Sequence, residues 1–217
     1  MRYLSQRLQH AQISLTESPR GIELQSERVL IDPPIASAAR SYAPQAHAIS
    51  SWFVDTAKGP TGQAAYVFAT ADAAGEQTLS NGLGPKEVAI SHRLAARLGA
   101  AIGDPIALRF PVLGPRKQVD YSEAEFIVRR FYTVGENGTD STLMPNIPGM
   151  TQADSCADWD VGLPIDLNRI VPDDEDFWAT HGGAPNILLS MVAAESIWSV
   201  VYHTVRPVRG AEMWRGG

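Results

Sequence analysis

The chain has 217 residues, 44% hydrophobic and 19% charged, with a formal net charge of −6. That composition excludes a disordered or fibrous protein, and the acid excess argues against nucleic acid, which selects a basic face. A chain this long buries roughly 70% of its unfolded surface, so folding needs neither metal nor disulfide, and its single cysteine, Cys156, allows no internal bridge.

In chain order, Met1–Gln9 sets Tyr3, Leu4 and Leu8 at helical spacing. Ala11–Thr16 alternates Ile13 and Leu15 with polar partners, as a half-buried strand does. A turn over Ser18-Pro19-Arg20-Gly21 precedes a second strand expected at Glu27–Ile31. Asp32-Pro33-Pro34 opens a helix: Asp32 caps, Pro33 fits the first position, and Ile35, Ala38, Ala39 and Tyr42 form the apolar stripe before Pro44. Strands are expected at His47–Val54 and Ala65–Thr70, split by Lys58-Gly59-Pro60, with a polar loop over Ala71–Pro85.

Lys86–Phe110 is the sharpest local unit. Val88–Ile90 is extended, Ser91 caps a short helix whose buried side is Leu94, Ala95 and Leu98, and Gly99 sits at its C-terminal cap. A turn at Ile102-Gly103-Asp104 leads to the alternating Ile106, Leu108 and Phe110. Phe126–Val134 is a further strand, and Leu143–Leu163 is irregular and rich in Pro, Gly and Asp. Pro172–Trp178 has an acidic helical first turn, Asn186–Ser190 is a strand, Val192–Trp198 a helix and Val201–Val208 a last strand. The most apolar stretch, Ile187–Val201, is interrupted by Ser190, Glu195 and Ser199 and falls short of the ~20 residues of a membrane span. Met1–His10 has no signal-peptide apolar core. Helices and strands at both ends around a strand-rich middle indicate an α+β fold with a β-rich part inserted into an α/β part.

Candidate chemistry is sparse. His10, His47, His92, His181 and His203 form no i, i+3 or i, i+4 pair, so zinc is not indicated, and His92 reads as a surface residue. Cys156 has no neighbouring base and reads as structural. Asn81-Gly82-Leu83-Gly84 lacks the strand-and-helix context of a phosphate loop and reads as a flexible turn. Asp154, Asp158, Asp160 and Asp166 share one irregular segment with Asp173, Asp174, Glu175 and Asp176 following. The last four are read as carboxylates opposing a helix dipole. Two alternatives stay open: a Ca²⁺-dependent extracellular binding module, although the spacing does not fit an EF-hand loop, and an independent hydrolase joining Asp158 and Asp160 to a histidine. Trp52, Trp159, Trp178, Trp198 and Trp214 are read as packing residues rather than a binding surface. No catalytic, cofactor-binding or metal residue is assigned.

Two stretches carry a resemblance. The first is Glu87-Val88-Ala89-Ile90-Ser91-His92-Arg93-Leu94-Ala95-Ala96-Arg97-Leu98-Gly99 with Ile102-Gly103-Asp104 and the strand Pro105–Phe110. The second is Leu143-Met144-Pro145-Asn146-Ile147-Pro148-Gly149-Met150, then Cys156-Ala157-Asp158-Trp159-Asp160, Gly162-Leu163-Pro164-Ile165-Asp166-Leu167, Asp174-Glu175-Asp176-Phe177-Trp178, Pro185-Asn186-Ile187-Leu188-Leu189-Ser190 and Ile197-Trp198. Together they cover about half the chain, and they resemble extracytoplasmic domains of MacB/FtsX/LolC-type ABC transporter permeases. One departure is Ser199-Val200-Val201-Tyr202-His203, where that family continues with a basic-aromatic-glycine step. The resemblance implies a permease with four membrane helices, this domain following the first, on the extracytoplasmic (periplasmic) side of a bacterial cell membrane. It implies a porter-like α/β part from residues 1–70 and 185–217 and an inserted β-rich subdomain at 71–184 with a long acidic loop, 154–176. It implies no chemistry of the domain's own and no cofactor. The implied partners are a separate cytoplasmic ABC ATPase subunit reached through the full-length permease, a second permease copy in a homodimer or heterodimer, and an extracytoplasmic lipoprotein, peptide or efflux component. Membrane contact would come through helices outside this chain, nucleic acid is not expected, and the chain termini would lie together at one end. The Met1 start and Gly216-Gly217 end read as boundaries of an excised fragment.

Overall fold

A computed structural model describes residues 13–18, 21–26, 33–44, 46–72, 80–113, 119–144, 147, 149–161, 165–198 and 204–207. Over these residues the fold is α+β. Its strands are β1 (Ile13–Ser18), β2 (Gly21–Ser26), β3 (Ala46–Lys58), β4 (Gln63–Asp72), β5 (Glu87–Ser91), β6 (Pro105–Leu113), β7 (Val119–Tyr132), β8 (Ile187–Ser190) and β9 (Thr204–Pro207). Its helices are α1 (Pro33–Tyr42), α2 (His92–Leu98), α3 (Pro172–His181) and α4 (Met191–Trp198).

Six strands close on themselves in the order β3-β4-β8-β5-β7-β6, with β6 returning to pair with β3. The β4–β8 and β5–β7 pairs are parallel and the other four antiparallel. A six-stranded barrel is narrow enough for side chains to fill it, and every second residue does so. Val67, Ala69 and Ala71 of β4, Val88 and Ile90 of β5, Ile106, Leu108 and Phe110 of β6, Phe126 and Val128 of β7, and Ile187 and Leu189 of β8 form one buried cluster. The short helices α2 and α4 add Leu94, Leu98, Met191, Ala193 and Ala194 to it. The barrel thus takes β3, β8 and all but the last two residues of β4 from the stretches expected to form the α/β part, and β5–β7 from the middle stretch.

Outside the barrel, β9 bridges β3 to the β1–β2 hairpin. Ile13 and Ala36 make a small separate core there, with Leu24, Ile35, Ala39 and Ala46 packed against it. A strand not expected from the sequence occupies Gly21–Ser26, where Ser18 pairs with Gly21 across the hairpin. Residues 27–31, the expected helical segment Met1–Gln9, Asp32 and the chain termini lie outside the described residues. So do residues 73–79 of the loop expected at Ala71–Pro85; its first two residues, Ala71 and Asp72, are the end of β4 instead. The β7 strand begins seven residues before the expected Phe126, at Val119, running antiparallel to β6 from Leu113↔Val119 to Pro105↔Ile127. Its first half sets exposed Asp120, Glu123 and Glu125 among half-buried residues with no regular apolar alternation, which hides the strand pattern. No helix among the described residues is long and apolar enough to cross a membrane.

Candidate functional site

The outward faces of β3 and β4 carry Phe53, Tyr66 and Phe68, a row of aromatics that water would not leave bare. The segment between β7 and β8 covers them. Met150, Cys156 and Trp178 are buried against Phe68, with Met144, Ile147, Trp159, Val161, Ile165 and Ile170 packed around. Trp159 meets Trp178 edge to face with ring centres 4.9 Å apart, and Tyr66 at 6.4 Å. The Trp178 indole N–H donates to the Ala153 carbonyl at 3.0 Å. This segment, rich in Pro, Gly and Asp, is therefore a lid with its own small core.

Two charged clamps hold the lid. At the first, Asp55 of β3 is only 3% exposed. It accepts from Arg109 of β6 at 2.6 Å and from Arg169 of the lid at 3.0 Å, while the Thr56 hydroxyl donates to it at 2.8 Å. Arg169 also donates to the Asp55 carbonyl and to Thr56, and its guanidinium lies 4.7 Å from the Tyr66 ring centre. The Tyr66 hydroxyl accepts from the Asp166 backbone N–H at 2.8 Å. Burial works to raise the Asp55 pKa, but the Thr56 hydroxyl and the two guanidiniums outweigh it and hold the carboxyl below its ordinary range. Arg169 is lowered by burial and raised by Asp55, and the carboxylate prevails. Tyr66 has φ +55°, a left-handed conformation unusual for an aromatic residue in a strand. The kink shifts which residues face inward: Val54 and Val67 point into the barrel, and so do Ala57, three residues later on β3, and its partner Ala64, three residues earlier on β4.

At the second clamp, Asp174 in the first turn of α3 accepts from Arg93 at 2.6 Å and Arg97 at 2.5 Å, both on α2. Its other oxygen accepts from the Val171 N–H at 3.0 Å, capping α3. Arg93 also pairs with Asp173 at 2.7 Å and lies over the Phe177 ring at 4.6 Å. Next to it, Glu175 accepts from the Cys156 N–H at 2.9 Å. Burial, together with the charges of Glu175 and Asp174, pushes the Cys156 thiol up to about 12.

The acidic residues of the sequence therefore divide. Asp166 caps the turn at Asn168, and Asp158 accepts from Ser155 at 2.7 Å. Asp154 and Asp160 are exposed, and the Asp160 N–H donates to the Gly149 carbonyl. Asp173, Asp174 and Glu175 occupy the first turn of α3, where a carboxylate opposes the helix dipole. Among the described residues, no three His, Cys, Asp or Glu side chains are grouped to hold a metal ion. His92 is exposed with its ring 5.6 Å from Phe131, and the His181 ring lies tilted 5.0 Å from Phe177. Trp52 packs half-buried on the barrel core. His10, His203 and Trp214 lie outside the described residues. Leu83, in the expected flexible turn, is buried against Ala89 and Leu188. Asp55, Tyr66, Arg109 and Arg169 went unnoticed in the sequence; the one available signal was a lone acid inside the apolar run Trp52-Phe53-Val54-Asp55.

No protein-family model matches this chain, and no curated protein matches it.

Proposed function

We propose that this chain is an extracytoplasmic domain of a MacB/FtsX/LolC-type ABC transporter permease, which relays ATP-driven motion to a partner or substrate and performs no chemistry itself. The observation that carries the reading is how the two resembling stretches meet. Ser91, the cap of α2, donates its hydroxyl to the Asn186 side chain at 2.8 Å and its backbone N–H to the Asn186 carbonyl at 2.9 Å. Strands β5 and β8 pair across Val88↔Leu189 to Ile90↔Ile187. Arg93 and Arg97 of the first stretch grip Asp174 of the second. Residues that carry the likeness thus supply one of the two clamps that fasten lid to barrel, as a rigid relay requires. On this reading the parts outside the barrel, α1 with the β1–β2 hairpin and β9, belong to a porter-like portion. The partners are a cytoplasmic ATPase, a second permease copy and an extracytoplasmic lipoprotein, peptide or efflux component, and the domain faces the periplasm.

The test is the coding sequence on either side of this stretch, followed by purification of its full product. Apolar segments of about 20 residues before and after the domain, and co-purification of an ABC ATPase, are the expected outcome. A full-length product without membrane spans overturns the reading.

A further inference from the structure

Between Asp154 and Asp176 the sequence holds eight carboxylates and one basic residue, Arg169, a local charge of −7 in a chain whose total is −6. Everything else therefore sums to about neutrality, and the negative charge of the molecule is concentrated on the lid. Its lone cation is turned inward onto Asp55, and Arg93 and Arg97 of α2 compensate Asp173 and Asp174, so the surface excess comes from Asp154, Asp158, Asp160, Asp166, Glu175 and Asp176. Nearby opens a groove of about 430 Å³, within the range of roughly 300–1,000 Å³ that ligand clefts span. Leu167, Ile170 and Val171 give it an apolar wall, and Glu175 and Asp176 an acidic edge. Leu167 is 45% and Val171 38% exposed, while Ile170 packs onto the lid core, so the wall is fixed from behind and bare in front.

We propose that this groove docks a segment of a partner polypeptide that presents an aliphatic side chain beside a lysine or arginine. The apolar wall supplies burial for the first and the carboxylates supply attraction and orientation for the second. Anionic lipid headgroups and nucleic acid are repelled by the same field. The proposal rests on the permease reading only for where such a partner is met.

The experiment uses the full 217-residue chain and three fluorescein-labelled synthetic peptides: one of alternating leucine and lysine spaced by glycine, one with glutamate for lysine, one with serine for leucine. Fluorescence anisotropy is expected to show the leucine–lysine peptide binding about ten-fold tighter than either control, with affinity falling as salt rises. Leu167→Asp and Val171→Asp, both at exposed positions, are expected to weaken it about five-fold or more without lowering the melting temperature. Asp176→Lys is expected to shift preference toward the glutamate peptide. Amide shifts in NMR spectra of the unaltered chain are expected to cluster at residues 165–176. Equal binding of all three peptides, full affinity in the two aspartate variants, or shifts centred elsewhere overturns the proposal. The two readings fail separately: missing membrane spans sink the permease and leave the groove standing, whereas absent peptide binding does the reverse.

Discussion

Asp55 is a buried charge with three partners, and such groups cost most when one side is removed. Replacing it by asparagine leaves Arg169 and Arg109 facing a neutral amide, and with both guanidiniums about a third exposed the loss is about 1–3 kcal/mol. Its pKa is held below the unfolded value of about 3.9, so its contribution is fully present above about pH 4 and is lost as pH falls through the folded value. Urea melts at pH 7 should therefore show Asp55→Asn destabilised by that amount. Melts repeated toward pH 2 should bring the variant and the original chain together; a gap that stays constant with pH contradicts the assignment. Cys156 makes the opposite case. With its thiol pushed up to about 12, thiolate is almost absent at pH 8, and burial keeps reagents out. A thiol reagent at pH 8 should label Cys156 only at the rate of unfolding, and labelling within minutes under native conditions would refute this.

Elements are joined at few points here, and each joint is testable. Gly149 has φ +78°, and a Cβ placed on it would come within 1.7 Å of the Asp160 carbonyl, so backbone must move to admit any side chain. Gly149→Ala should cost more than the ~1 kcal/mol of an ordinary Gly→Ala mismatch and should loosen the lid around the Trp159–Trp178 pair. Near-ultraviolet circular dichroism of those indoles reads this out, and an unchanged spectrum with unchanged stability counts against it. Asp174→Ala removes the cap of α3 and both arginine bonds together. Limited proteolysis should then cut between residues 144 and 186 faster, while fragments of the barrel strands persist. How readable each element was from sequence follows from the same geometry. Helix α2 announced itself because Ser91 and Gly99, at φ +61°, do local work: Ser91 accepts from the Leu94 N–H and Gly99 takes the left-handed cap. The lid did not, since its order comes from long-range partners. Arg169 reaches Asp55, 114 residues away, and Tyr66 reaches Asp166, 100 residues away. Nor did barrel closure: Thr56↔Arg109 pairing depends on strand curvature, which residue patterns do not encode.

At the scale of the whole molecule, a near-neutral barrel carries an acidic lid. The sequence displayed that excess plainly, as the run from Asp154 to Asp176, but not what it does. Its carboxylates look available for calcium until their bonds are traced: Asp174 is spent on two arginines, Glu175 on the Cys156 N–H, Asp166 on Asn168 and Asp158 on Ser155. A cation that bound Asp174 would first have to break the second clamp. Thermal melts with and without millimolar calcium, matched in ionic strength with sodium chloride, should therefore coincide. A site with a dissociation constant one hundredth of the added calcium would stabilise by about 2.7 kcal/mol, and at ~2–4 °C per kcal/mol for a chain of this size the shift would be several degrees. A rise of that size, reversed by a chelator, would return the lid to the class of calcium-dependent binding modules and would require the Asp174 clamp to open when the ion enters.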